Sequence, residues 1–218
     1  ILQADKRNCL HLHFTMQDNP SLSQTVRRRY ERLYTGVFYR RLILGQWCKA
    51  EGRVYEFFDT ASARPAPGGE FDQWVISCDY GTVNPASVGR WGKQNGVWYR
   101  TDEFYFDSRR EGRQMTDAEY AGKLRKLAGG RTIREVIVDP SAASFIEVLR
   151  REGWKVRKAD NDVISGIRKT ADALKDGRIV ICERCTDCLR EMDLYVWDLE
   201  AGGDRVVKKN DHAMDDMR

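Results

Sequence analysis

Two short apolar runs that each close on an aspartate constrain this chain more than any other feature. Trp74-Val75-Ile76-Ser77-Cys78 ends at Asp79, and Val136-Ile137-Val138 ends at Asp139. Runs this short and apolar, bounded by turn residues, predict strands. A carboxylate at the C-terminal end of a buried strand is held by a rigid element while its oxygens reach the sheet edge. That is where α/β proteins put their chemistry.

The surrounding pattern predicts the rest of the sheet. Ala86 to Trp91 and Val97 to Phe106 read as strands joined by Lys93-Gln94-Asn95-Gly96, and Asn-Gly is a strong hairpin signal. Thr116 to Leu127 reads as a helix opened by Thr116 and Glu119 at capping-box spacing and closed by Gly129-Gly130. Further helices are expected over Ser144 to Arg151, Val163 to Leu174 and Asp187 to Trp197, with a strand over Arg178 to Cys182. Lys208 to Asp211 leads into a last helix. Hairpin first, then strand-helix alternation, argues for an α/β fold, a mixed sheet flanked by helices.

The preceding residues differ. Pro20-Ser21-Leu22-Ser23 offers an N-terminal cap to a helix carrying Val26, Tyr30, Leu33 and Tyr34, and a second short helix is expected over Val37 to Leu44. Thr60 to Glu70, with two prolines and two adjacent glycines, reads as a linker. The chain therefore divides into a helical segment with linker, 1–72, and a sheet domain, 73–218.

Composition excludes other classes. With 41% apolar and 32% charged residues the chain is too apolar for full disorder. No apolar run approaches the roughly 20 residues of a membrane span. Asp5, Lys6 and Arg7 interrupt the first residues, which lack a secretory leader's apolar core. The first residue is not Met, and the sequence reads as a piece of a longer polypeptide. A net charge of +4 permits nucleic-acid binding without demanding it. The six cysteines need no disulfide framework in a chain of this size, which favours a reducing setting.

Asp211, His212, Asp215 and Asp216 form a third acidic feature, and 211, 212 and 215 share one face of a helix. Carboxylates brought together repel, and one takes up a proton unless a cation intervenes. Mg²⁺ or Mn²⁺ prefers such oxygen ligands. Two such ions about 3.5–4 Å apart activate a water and stabilise the leaving oxygen of a phosphodiester. Each acid also has a plainer reading. Asp139 and Asp211 precede helices that they would cap, and Asp79-Tyr80-Gly81 would form a turn. Cys182, Cys185 and Cys188 lack a fourth ligand, so no zinc is expected. Basic groups suited to phosphate are Arg168, Lys169, Lys208, Lys209 and Lys93, each with a solvated surface as its plainer role.

On these residues the chain resembles the large terminase subunit of tailed double-stranded DNA bacteriophages. DNPSLS at 18–23 and YRRLILGQWCKAEGRVYEFFD at 39–59 look like that family's passage from ATPase to nuclease domain. WVISCDYGTVNPAS, VIVDPSAASFIEVLRREG and NDHAMDDMR look like its nuclease motifs. The resemblance implies a ribonuclease H-like fold and a metal-dependent endonuclease that cuts concatemeric viral DNA with little sequence preference. It implies catalytic and metal-binding roles for Asp79, Asp139 and Asp215, with His212, Asp216 and Asp211 as further candidates beside two Mg²⁺ or Mn²⁺ ions. It also implies double-stranded DNA, an upstream ATPase domain, a small terminase subunit and a procapsid portal as partners, in the host cell cytoplasm. No G-x-x-x-x-G-K-[ST] occurs, so no ATP site is expected within these residues. Two alternatives stay open: a non-catalytic DNA-binding or docking module of the same fold, and a ribonuclease H-like nuclease of the resolvase or integrase type.

Overall fold

A computed structural model describes residues 12–201 and 203–218. They fall into two compact units divided between Lys49 and Ala50. The first carries α1 (Gln24–Leu33), capped by Ser23 Oγ accepting from the Val26 amide, and α2 (Gly36–Leu42). Cys9 lies outside the described residues.

The second unit is built on six strands: β1 (Gln73–Asp79), β2 (Ala86–Gln94), β3 (Val97–Phe106), β4 (Ile133–Val138), β5 (Val156–Lys158) and β6 (Ile179–Ile181). They form one sheet in the order β5-β4-β1-β2-β3-β6, and only β2 runs against the others. Helices α3 (Asp117–Ala128), α4 (Ala143–Arg151), α5 (Val163–Lys175), α6 (Thr186–Leu194) and α7 (His212–Met217) complete it. The β2–β3 hairpin turns through Asn95 and Gly96 at φ 52° and 81°, the left-handed pair that an Asn-Gly turn supplies. Thr116 and Glu119 close their capping box, and Gly129 ends α3 at φ 59°.

Alternation gives the sheet two unlike faces. On one, Ile76, Cys78, Val88, Val136 and Val138 pack against Tyr120 and Leu124 of α3 and Phe145 and Leu149 of α4. The opposite face carries Val75, Ser77 and Asp79 of β1 and Glu135 and Ile137 of β4. A bulge then matters in β3. Arg90 pairs with Asp102 but Trp91 pairs with Arg100, leaving Thr101 as the extra residue. One inserted residue reverses the alternation beyond it. Arg100 is thereby turned onto the side of Glu103 and Tyr105, away from the apolar core.

Several expectations are refined. The helix expected to reach Trp197 stops at Leu194, because Tyr195 to Trp197 run extended and bond to 52–54. Strand β5 was not anticipated, since three residues within a basic stretch carry no periodicity. The Thr60 to Glu70 stretch is not free: Glu183 N donates to Arg64 O at 3.0 Å, and the Gln94 amide donates to the carbonyls of Gly68 and Glu70. Among the described residues no helix is long and apolar enough to cross a membrane.

Candidate metal centre

β1 and β4 are parallel neighbours in register at Cys78 and Val138, so Asp79 and Asp139 leave the sheet at the same level. Together with Asp215 and Asp216 they line one cavity of about 380 Å³. A second, of about 840 Å³, adjoins Asp79, Asp215, Asp211 and His212. The acids from two strands and the last helix therefore converge on one end of the sheet.

Their environments differ. Burial pushes the Asp79 carboxyl above the usual carboxylate value, Asp215 and Asp216 add to the rise, and His212 opposes it. His212 Nδ1 lies 3.0 Å from Asp79 Oδ2. Burial alone would lower the His212 pKa, but the Asp79 contact and the charges of Asp211 and Glu191 leave it raised. For Asp139, burial is outweighed by hydrogen bonds from Ser141 and Asn161 and by the Arg218 charge, so its carboxyl is held low. The Ser141 amide donates to Oδ1 at 2.7 Å and the Asn161 side chain to Oδ2 at 2.9 Å. That loop bond stands where a helix cap was the plainer reading, and the N-cap of α4 is instead Ala142, which supplies no side-chain cap.

Asp215 lies between two cations. Lys208 Nζ donates to its Oδ2 at 3.1 Å and Arg218 Nε to its Oδ1 at 2.9 Å. Lys208 also pairs with Asp211 at 3.2 Å, and Asp211, though it precedes α7, makes no side-chain cap. Asp216 turns inward, where its Oδ2 accepts from Arg100 Nη2 at 2.7 Å and Ser87 Oγ at 2.8 Å. Its Oδ1 is buried without a partner. Glu191, also buried, accepts from Tyr105 Oη and from the Ala213 amide, both at 2.6 Å, and so ties down the first turn of α7.

Lys208 and Lys209 line the larger cavity; Lys93, Arg168 and Lys169 line neither. Lys93 instead stands over the Trp98 ring, and Lys169 lies 3.8 Å from Asp160. Arg109, Arg110 and Arg190 line the larger cavity and were missed. An Arg-Arg pair after a strand was the available signal, but nothing local tied it to the acids. Cys182, Cys185 and Cys188 are buried free thiols, and burial pushes Cys182 up to about 11 and Cys188 to about 12.

No family model matches the chain. The large terminase subunit of Escherichia phage T5 is 20% identical over 226 residues, covering 97% of this chain and 51% of the relative. The large terminase of a thermophilic bacteriophage, solved with ATP-gamma-S, is 48% identical at a TM-score of 0.88, over 98% of this chain and 55% of that one. Homologues of this chain are large terminase subunits. The chain spans about half the length of these relatives. The chain also resembles nuclease domains solved alone. That of phage P22 gives a TM-score of 0.62 at 18% identity, over 76% of this chain and 88% of that one. That of the thermophilic phage G20c with bound magnesium gives 0.60 at 13%, over 78% and 96%. The G20c domain has also been solved with cobalt. The fold is accordingly the ribonuclease H-like one.

Among the described residues no three His, Cys, Asp or Glu side chains stand close enough to hold one ion as they are. The donor set nonetheless suits a hard divalent cation. All the converging groups are carboxylates, the Asp79 carboxyl is destabilised as an anion, and Asp216 Oδ1 is a buried oxygen without a donor. Lys208 and Arg218 occupy the oxygens that Asp215 would have to offer.

Proposed function

We propose that this chain is the metal-dependent endonuclease module of a DNA-packaging terminase, and that it cleaves concatemeric double-stranded DNA with little sequence preference in the host cytoplasm. The observation that carries the reading is the convergence of Asp79, Asp139 and Asp215 on one end of the sheet, with Asp79 unfavourable as an anion beside Asp215 and Asp216. Asp79, Asp139 and Asp215 would hold Mg²⁺ or Mn²⁺, two ions in all, with Asp216 Oδ1 as a further donor. Such ions lower the pKa of an attacking water and neutralise the departing 3′ oxygen.

The chain's own groups do the rest. The hydrogen bond from His212 Nδ1 fixes Asp79 Oδ2, so the carboxylate is oriented before substrate arrives. Asn161 and the Ser141 amide do the same for Asp139. Lys208, which now holds Asp215 Oδ2, would have to give up that oxygen to a metal ion, and its ammonium would then stand free beside the cavity. Arg109, Arg110, Arg190 and Lys209 meet phosphates along the larger cavity and bind backbone without reading bases. The wider machinery, an ATPase domain upstream, a small subunit and a portal, belongs to the same proposal.

The test is conversion of supercoiled plasmid to nicked and linear forms with Mn²⁺, Mg²⁺ or EDTA. Cleavage that needs metal and falls more than about 100-fold in Asp79→Ala and Asp139→Ala is the expected result; loss of a group merely supporting a ligand already costs about 10–100-fold. Cleavage in EDTA, or undiminished in both variants, sinks the reading.

A further inference from the structure

Arg100 heads the large, fully buried side chains among the described residues, and it lies on the sheet face that carries the acids. A buried guanidinium is costly unless its surroundings are built for it. Five features surround this one, although its Nε and Nη1 make no hydrogen bond. The bulge at Thr101 turns Arg100 to that face. Gly89 on β2 clears the space, since a Cβ there would lie 2.2 Å from Arg100 Nη1. Nη2 donates to Asp216 Oδ2 at 2.7 Å, and both side chains are fully buried. Nη2 also lies 3.4 Å from Glu103 Oε2, while Glu103 accepts from the Asp187 and Cys188 amides at the start of α6. Trp91 lies under the guanidinium, with the Arg100 Cζ 5.6 Å from the ring centre.

α7 is only six residues long and carries Asp215 and Asp216 side by side. A helix so short does not hold itself in place. Arg100 grips it through one oxygen of Asp216 and leaves the other, Oδ1, without a partner in a side chain that lines the same cavity as Asp79, Asp139 and Asp215.

We infer that Arg100 is a positioning residue for the metal centre: through Asp216 Oδ2 it fixes α7 so that Asp215 and Asp216 Oδ1 are presented to the ions held by the strand acids. This rests on the metal-site reading above. It assigns to a buried strand residue, reached only through a bulge, the placement of the third ligand. Glu191 holds the other end of the helix at the Ala213 amide, so the two anchors together fix its direction as well as its position.

The experiment compares the full chain with Arg100→Met, Arg100→Lys, Asp216→Asn and a core control, Leu149→Ala. Two quantities are read: the Mn²⁺ dissociation constant by electron paramagnetic resonance, and amide exchange of α7 against β1 in metal-free protein. Arg100→Met is expected to weaken Mn²⁺ binding by about 10–100-fold, the range for groups supporting a ligand. Arg100→Lys should restore part of it. α7 amides should exchange at least about tenfold faster in Arg100→Met while β1 stays protected, as local opening requires. Leu149→Ala should lower Tm and leave Mn²⁺ affinity within about twofold, because its site is on the other face.

Mn²⁺ binding and α7 exchange unchanged in the Arg100 variants would overturn the inference, as would equal weakening by Leu149→Ala. If Arg100→Met does not fold, Arg100→Lys carries the same comparison, and Asp216→Asn, which also alters a proposed donor, is read by α7 exchange alone. A wild-type chain that binds no Mn²⁺ would sink the metal-site reading instead. The exchange measurement would then still decide whether Arg100 holds α7.

Discussion

The two faces of the sheet solve opposite problems. The face under α3 and α4 is packed mainly by aliphatic and aromatic side chains that exclude water, with buried Arg90 tied to Leu127 O and Thr101 Oγ1 at its margin. The face under α7 buries Ser77, Ser87, Arg100, Glu191, Asp211 and Asp216. There Trp91 Nε1 donates to Ser77 Oγ, Ser87 Oγ donates to Asp216, and Glu191 joins Tyr105 to α7. Apolar packing tolerates small displacements. A buried polar network does not, because each group left unpaired costs about 1–3 kcal/mol. The second face therefore trades stability for geometry, which is what three carboxylates from separate elements require.

The largest expected effect breaks the comparison directly. Removing the Arg100 guanidinium with Arg100→Met strands Asp216 as a buried charge and should cost about 3–5 kcal/mol in urea unfolding. Arg100→Met with Asp216→Leu should recover a large part of that loss. Leu149→Ala on the opposite face should cost about 2–5 kcal/mol, with no second substitution able to rescue it by charge removal. A double variant no more stable than the single one would show that the two faces are held together in the same way.

A smaller effect of opposite sign is expected at Asp79. Its carboxyl is raised in the fold, so its ionised form opposes folding, fully above the raised pKa and not at all below the usual 3.8. Asp79→Asn should raise the Tm of metal-free protein at pH 7, and the gain should vanish as pH falls below about 3.8 or when Mn²⁺ is added to both proteins. A lower Tm at pH 7 would mean that Asp79 is held as a structural anion.

The smallest expected effect belongs to His212. Its pKa is raised from 6.5, so the stability it contributes is complete below 6.5 and is lost as pH rises through the raised value. The Tm difference between wild type and His212→Gln should therefore shrink from pH 6 to pH 9. A difference constant with pH would remove the charged contact with Asp79 from the account.

The same division governs what could be read from the amino-acid sequence. Local features were legible: the Asn95-Gly96 turn, the Thr116 and Glu119 capping box, and the strands that end at Asp79 and Asp139 each announce themselves within a few residues. The apolar face was legible too, because alternation and helical spacing are local patterns. The polar face was not. A one-residue bulge leaves no mark on hydrophobic periodicity, yet it decides which way Arg100 points. Asp215 and Asp216 are adjacent in sequence, but one meets Lys208 and Arg218 while the other turns to a strand 116 residues away. Glu191 reads as an ordinary helix glutamate until Tyr105 and Ala213 are brought to it.

The most direct test of the central claim is anomalous diffraction at the manganese edge from crystals of the full chain soaked in Mn²⁺. The account predicts density bounded by Asp79, Asp139 and Asp215, with Lys208 withdrawn from Asp215 and Asp216 still on Arg100. No manganese among these acids, with Lys208 and Arg218 still on Asp215, would contradict it.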